Sequence, residues 1–234
     1  MATYSGDFYK DQGPGSRASA EIVVPLVMEA VRATTVIDVG CGMGDWLAVF
    51  KARGATVLGV DGAYVDRSLL RIDASEFVAA DLTKPLPDLG RFDLCVSLEV
   101  AEHLTAKVAK SFVASLTRLA PVVLFAAAVP HQGGVHHVNE RWPRYWRELF
   151  LAHGFICLDP FRPVLWHEDA VQWWYRQNLF LCVEAELADR EPYANMPKAS
   201  PMQLINEKVL HQATSLKGSL KNLFRILRRA GGSG

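Results

Sequence analysis

Three carboxylates stand at the ends of three short apolar runs: Asp61 closes Thr56 to Val60, Asp81 follows Phe77 to Ala80, and Glu99 follows Phe92 to Leu98. A fourth, Asp38, lies in a run that opens into glycines at alternate positions, Gly40, Gly42 and Gly44. Glycine lets a backbone turn sharply and approach a ligand with no side chain between them. Carboxylates around such a turn accept hydrogen bonds from hydroxyl and amino groups, so the set suits a nucleoside-sized ligand. Asp61 comes 21 residues after Gly40, matching the ~20-residue spacing at which an acidic residue reaches ribose hydroxyls in a βαβ nucleotide site. The dinucleotide fingerprint G-x-G-x-x-G does not fit, because its third glycine would fall on Asp45.

Two later stretches carry further polar chemistry. Residues 130–140 hold His131, His136 and His137 beside the pair Gly133 and Gly134. Histidine changes protonation near neutral pH, so His136 or His137 can accept a proton from an attacking hydroxyl or amine. No cysteine or acidic ligand is spaced to complete a zinc site with these histidines, and no metal centre is expected. Residues 160–178, with Trp142, Tyr145 and Trp146 before them, place five of the six tryptophans within 33 residues. Most of these rings are expected to pack in the core, while Tyr175 and Asn139 are the preferred polar candidates to hold an amino or hydroxyl group where rings exclude water.

The elements that position these groups alternate. Ile22, Leu26, Val27 and Val31 recur at helical spacing before the first strand, and Asp45 to Lys51 can start a helix behind the glycines. Thr105 is an N-cap candidate for a helix with Val108, Phe112, Val113, Leu116 and Leu119 on its apolar face. A fifth strand follows within 121–129, then a helix from Pro143 to His153 stopped by Gly154, then strands near 155–158 and 178–183. Alternation of this kind implies a parallel sheet covered on both faces. Ligands then bind outside the carboxyl ends of the strands, where the strand order reverses.

The pattern of Asp38, Gly40, Gly42 and Gly44 resembles motif I of the class I S-adenosylmethionine (SAM)-dependent methyltransferases, and the stretch Ser97 to Leu104 resembles their fourth-strand motif. The resemblance covers roughly residues 19 to 185. It implies an α/β Rossmann-like fold with a seven-stranded sheet of order 3-2-1-4-5-7-6, and SAM as cofactor. It further implies that Asp61 holds the ribose, that Asp81 and Leu82 address adenine, and that the turn from Gly40 to Gly44 lies against the methionyl part, with Asp38 and Glu99 in the same site. The activity so implied is methyl transfer to oxygen or nitrogen of a small metabolite in bacterial secondary metabolism, with His136, Asn139 and Tyr175 as catalytic candidates. The chain is also similar to enzymes that cyclise SAM to azetidine-2-carboxylate and methylthioadenosine. A SAM-binding subunit without activity is a third reading.

At 234 residues and 50% apolar content the chain can bury a large core, and 21% charged residues is ordinary for a soluble protein. No stretch of ~18 residues is apolar enough to span a membrane, and the first residues lack a secretory pattern. Cys41, Cys95, Cys157 and Cys182 are scattered and read as buried free thiols in a reducing cytoplasm. Residues 1–18 are expected to form a cover or flexible leader, too polar to join the core, ahead of a catalytic domain over 19–190. A Pro-rich linker over 191–201 leads to 202–229, which carries six basic residues against one acidic with Leu216, Leu220, Leu223, Phe224 and Leu227 at helical spacing. This basic amphipathic helix suits docking, a homodimer contact or weak contact with an anionic membrane surface, and residues 230–234 form a Gly/Ser tail. No nucleic-acid module is present, so a small-molecule substrate is expected.

Overall fold

The computed structural model describes residues 6–198; the C-terminal helix and tail expected over 202–234 lie outside them. The elements run α1 (Gly6–Val31), β1 (Thr35–Val39), α2 (Asp45–Ala52), β2 (Thr56–Asp61), β3 (Phe77–Ala79), β4 (Leu94–Leu98), α3 (Ala106–Leu119), β5 (Val122–Ala126), α4 (Pro143–Ala152), β6 (Phe155–Leu158), α5 (Arg162–Leu165), α6 (Trp173–Asn178), β7 (Phe180–Glu184) and α7 (Ala185–Ala188). The seven strands form one sheet of order 3-2-1-4-5-7-6. Strands β1 to β5 pair in parallel, while β7 lies antiparallel between β5 and β6. This is the expected class I methyltransferase topology, with the chain reversing its direction of growth between β1 and β4.

Strand residues alternate between two cores because successive side chains point to opposite faces. Val36, Leu94, Val96 and Leu124 pack with Val23, Val27, Leu47 and Phe50 from α1 and α2. Ile37, Cys95, Val123 and Phe125 pack with Phe112, Val113, Leu116, Trp146 and Phe150 from α3 and α4. Helix α3 therefore buries the apolar face expected of it. Thr105 occupies its N-cap position but makes no side-chain capping bond.

Three expectations change. Of the two alternatives for residues 1–18, cover or flexible leader, the leader does not describe residues 6–18, which belong to α1, running unbroken from Gly6 to Val31. Ser16 and Ser19 of this helix meet the aromatic insertion: Ser16 Oγ lies 3.2 Å from the Tyr175 hydroxyl and the Gln172 amide donates to Ser19 Oγ at 3.0 Å. Gly15 permits this approach, since a Cβ there would stand 2.4 Å from Gln172 Nε2. The Pro-rich stretch is docked as far as residue 198: Tyr193 is buried, and the Asp159 amide donates to the Pro197 carbonyl at 2.8 Å. Cys157 and Cys182 are joined by a disulfide, leaving only Cys41 and Cys95 free among the four. The antiparallel register of β6 on β7 sets these two residues directly opposite one another, a pairing that a separation of 25 positions does not announce. No helix among the described residues is long and apolar enough to cross a membrane.

Candidate active site

The glycine turn leaves the end of β1 and delivers the chain to α2. Gly40 has φ 90°, a conformation that L side chains rarely adopt, and a Cβ on it would meet Val100 Cγ2 at 2.3 Å. The Gly40 amide donates to the Val60 carbonyl at 2.7 Å, which ties the turn to β2. Asp61, the last residue of β2, reaches back to the turn: its Oδ2 accepts from the Gly42 amide at 2.8 Å. Its Oδ1 accepts from the Gly62 amide at 2.6 Å and the Tyr64 hydroxyl at 2.5 Å. Burial raises the Asp61 carboxyl above its usual range, opposed by those three donors. Asp38 is buried beneath it in β1, and burial, then the charge of Asp61, push its carboxyl well up.

The backbone carries the line of carboxylates onward, since the Ala80 amide donates to the Asp61 carbonyl at 2.8 Å. Asp81 is exposed beyond β3, and hydrogen bonds from Thr83 lower its carboxyl below the usual value. Its neighbour Leu82 is buried. The glycine turn, Asp61, Asp81 and Leu82 thus follow one another along the carboxyl edge of the sheet.

Glu99 leaves β4 with φ 57°, a left-handed conformation that is uncommon for a residue with a long side chain and tends to accompany functional sites. Its Oε2 accepts from Gln132 Nε2 at 2.7 Å and its Oε1 from Asn178 Nδ2 at 2.9 Å. Asn178 also donates to Gln132 Oε1 at 2.8 Å. Glu99 therefore joins the histidine-bearing loop to the aromatic insertion, and it meets a ligand only by sharing these acceptors. Burial pushes its carboxyl up to about 7, against the lowering bonds from Asn178 and Gln132.

Tyr175 is buried, with its ring edge-on to Trp46 at 5.0 Å between centroids. Trp46 lies in α2 just past Gly44, so Tyr175 stands beside the glycine turn. Burial raises its hydroxyl above the usual phenol range. Asn139 is buried, and its backbone amide donates to the Glu102 carbonyl at 2.9 Å; its Oδ1 accepts from Arg141 Nε at 2.8 Å, while its Nδ2 has no partner among the described residues. An unmet buried donor costs about 1–3 kcal/mol, and such a group is poised to donate to a ligand. His136 is exposed, with its backbone at φ 59°. His137 instead faces inward, its ring edge-on to His103 at 4.8 Å.

Four residues of this region escaped the sequence assignment: Gln132, Asn178, Glu102 and His103. Glu102 and His103 lie within the fourth-strand motif, which was the available signal. Gln132, in a loop, and Asn178, at the end of α6, are common amides 46 positions apart, and nothing in their types announces that they share a carboxylate. The acidic group that the histidine loop lacked in sequence comes from Glu102, 35 residues before His137. Among the aromatics, Trp146 packs on Phe125 at 5.4 Å and belongs to the core.

A family model described as a methyltransferase domain matches residues 15–180. The chain belongs to this methyltransferase family. Over 79 residues it is 32% identical to a ubiquinone biosynthesis O-methyltransferase of Pseudomonas paraeruginosa, a match that spans 30% of this chain and 33% of that relative. In fold it is similar to a sugar N-methyltransferase of Streptoalloteichus, at 19% identity and TM-score 0.59, with 76% of this chain and 91% of that one covered. It is also similar to the magnesium protoporphyrin IX methyltransferase of Synechocystis, solved with bound S-adenosylhomocysteine, at 18% identity and TM-score 0.56, with 77% and 88% covered.

Proposed function

We propose that this methyltransferase takes SAM as its cofactor and transfers a methyl group to an oxygen or nitrogen of a small metabolite. The observation that carries the reading is the contact between the glycine turn and Asp61, Gly42 N to Asp61 Oδ2 at 2.8 Å, at the edge where the sheet order reverses. In this reading Asp61 accepts the ribose hydroxyls, and Tyr64 yields or shares Oδ1. Asp81 and Leu82 meet adenine, and the turn from Gly40 to Gly44 lies against the methionyl part. The structures of the sugar and protoporphyrin methyltransferases, together with the weak O-methyltransferase match, support a small-molecule acceptor.

SAM supplies both the methyl group and its leaving group, so no covalent enzyme intermediate is needed. The acceptor lone pair forms a bond to the methyl carbon while the carbon–sulfur bond breaks and its electron pair returns to sulfur, and the proton of the acceptor hydroxyl or amine passes to solvent. The protein aligns the reactants and excludes water. Asn139 offers its unmet amide donor to the acceptor, and the Tyr175 hydroxyl, beside the turn, orients polar groups near the reacting centre. The test is transfer of label from methyl-labelled SAM to a panel of small hydroxyl and amine compounds. Label in an acceptor supports the proposal, and label retained in SAM across the panel opposes it.

A further inference from the structure

Glu102 is fully buried, and neither of its carboxylate oxygens has a hydrogen-bond partner among the described residues. Glu99 lies close beside it, and this second acid adds its negative charge to the same buried pocket. A buried carboxylate in that position calls for a cation or a proton. Two imidazoles stand around it. His137 Nε2 lies 4.0 Å from Glu102 Oε1, and the His103 ring packs against that of His137. One ligand-capable atom from each of Glu102, His103 and His137 lies within 4.8 Å of the others.

The surroundings orient the trio. The amides of Val138 and Asn139 both donate to the Glu102 carbonyl at 2.9 Å, which pins the loop with His137 against Glu102. His137 Nδ1 lies 3.3 Å from Glu140 Oε1. A carboxylate on one ring nitrogen fixes the tautomer and leaves the other nitrogen's lone pair facing inward, as histidines that bind metals commonly require. A backbone hydrogen bond to His136 holds the His103 ring in the same way.

We propose that Glu102, His103 and His137 bind a divalent first-row transition-metal ion, leaving coordination positions open for an acceptor oxygen. Two imidazoles and one carboxylate are a donor set that such ions accept in preference to calcium or magnesium. Bonds of about 2.0–2.2 Å bring neighbouring ligand atoms to about 3 Å apart, so the three side chains close on an ion through side-chain shifts of about an ångström. The catalytic part of this inference rests on the methyl-transfer reading above: a hydroxyl oxygen on the ion releases its proton to solvent more readily. It then attacks the methyl carbon as the carbon–sulfur pair returns to sulfur.

The experiment is calorimetric titration of the full-length, metal-stripped chain with Mn(II) and with Zn(II), without SAM and with no turnover measured. Expected are one ion per chain and affinity losses of at least about tenfold in Glu102→Gln, His103→Ala and His137→Ala. Glu140→Gln, which keeps an amide oxygen for the His131 and Gly133 amides but alters the partner of the outer nitrogen of His137, should lose about 10–100-fold, and His131→Ala should retain wild-type affinity. SAM affinity and thermal unfolding of each variant report folding, and Glu140→Gln and His137→Ala decide the matter where Glu102→Gln does not fold. Absence of binding by the wild type, or equal affinity in the folded variants, overturns the site. A chain that binds the ion through these residues and methylates nothing leaves the site standing and counts against the methyl-transfer reading alone.

Discussion

At the scale of single residues, Asp61 is the group on which cofactor affinity turns in the proposed complex. Asp61→Ala removes the acceptor for two amides and, in the proposed complex, for the ribose hydroxyls, so SAM binding should weaken by about 1–3 kcal/mol. Calorimetry showing wild-type affinity would take Asp61 out of the site. In the proposed reaction Asn139 and Tyr175 address the other reactant. Asn139→Ala and Tyr175→Phe should lower kcat by about 10–100-fold, or about 1.4–2.7 kcal/mol, with little change in SAM affinity. Equal losses in kcat and in SAM affinity would mean that both residues hold SAM itself. The carboxylates at strand ends and the alternate glycines were legible in the sequence because each has a local signature, a run that stops at an acid or a turn that needs positive φ. The amide pair Gln132 and Asn178 was not, because its meaning lies in a shared partner, Glu99, brought together by folding. The same holds for His137, which differs from the exposed His136 in its contacts with His103, Glu102 and Glu140, all made by folding.

At the scale of elements, two polar anchors hold the site's scaffold in place. Arg162 is fully buried: it donates to both oxygens of Asp159, donates to the Gln177 carbonyl at 3.1 Å, and lies over the Phe180 ring at 4.1 Å. It thereby joins α5 to α6 and β7, the segment that presents Tyr175 and Asn178. Arg162→Ala leaves Asp159 buried and uncompensated and should destabilise the fold by about 3–5 kcal/mol in urea unfolding. The double change to Arg162→Met with Asp159→Leu should recover much of that loss; failure to recover would assign the effect to packing rather than charge. At the far end of β1, Asp93 accepts from the Thr34 amide and hydroxyl and the Thr35 amide at 2.7–2.9 Å. Burial pushes its carboxyl up, but these bonds together outweigh burial and hold it below the usual value. Its stabilising contribution is therefore present above the ordinary carboxylate pKa and lost as pH falls through the depressed folded value. Wild type should be more stable than Asp93→Asn near neutrality, with the gap closing in acid; a gap independent of pH would contradict this. Strand and helix periods made β1 to β5, α3 and α4 readable from the sequence, and the antiparallel β7 followed from the family resemblance. Helix α1 was read too short because its N-terminal half is polar, and apolar periodicity does not register helical residues such as Ser16 and Ser19, whose partners are Tyr175 and Gln172.

At the scale of the whole molecule, balanced total charge conceals a basic segment over 202–229, so the remainder of the chain is acidic by the same amount. Deleting 202–229 should leave SAM affinity intact, because every expected SAM ligand lies between residues 38 and 99, and should change oligomer size or liposome binding. A soluble truncated chain that no longer binds SAM would make the segment part of the catalytic domain. The fold order and the cofactor edge belong together, since the crossover between β1 and β4 creates the crevice into which the Gly40 to Gly44 turn and Asp61 converge. The central claim is methyl transfer from SAM to a second molecule, and the nucleoside product tests it most directly. Purified chain incubated with SAM should yield S-adenosylhomocysteine only when an acceptor is added. Methylthioadenosine formed from SAM alone would contradict the account and show that the amine of SAM, not an acceptor, is the nucleophile in this site.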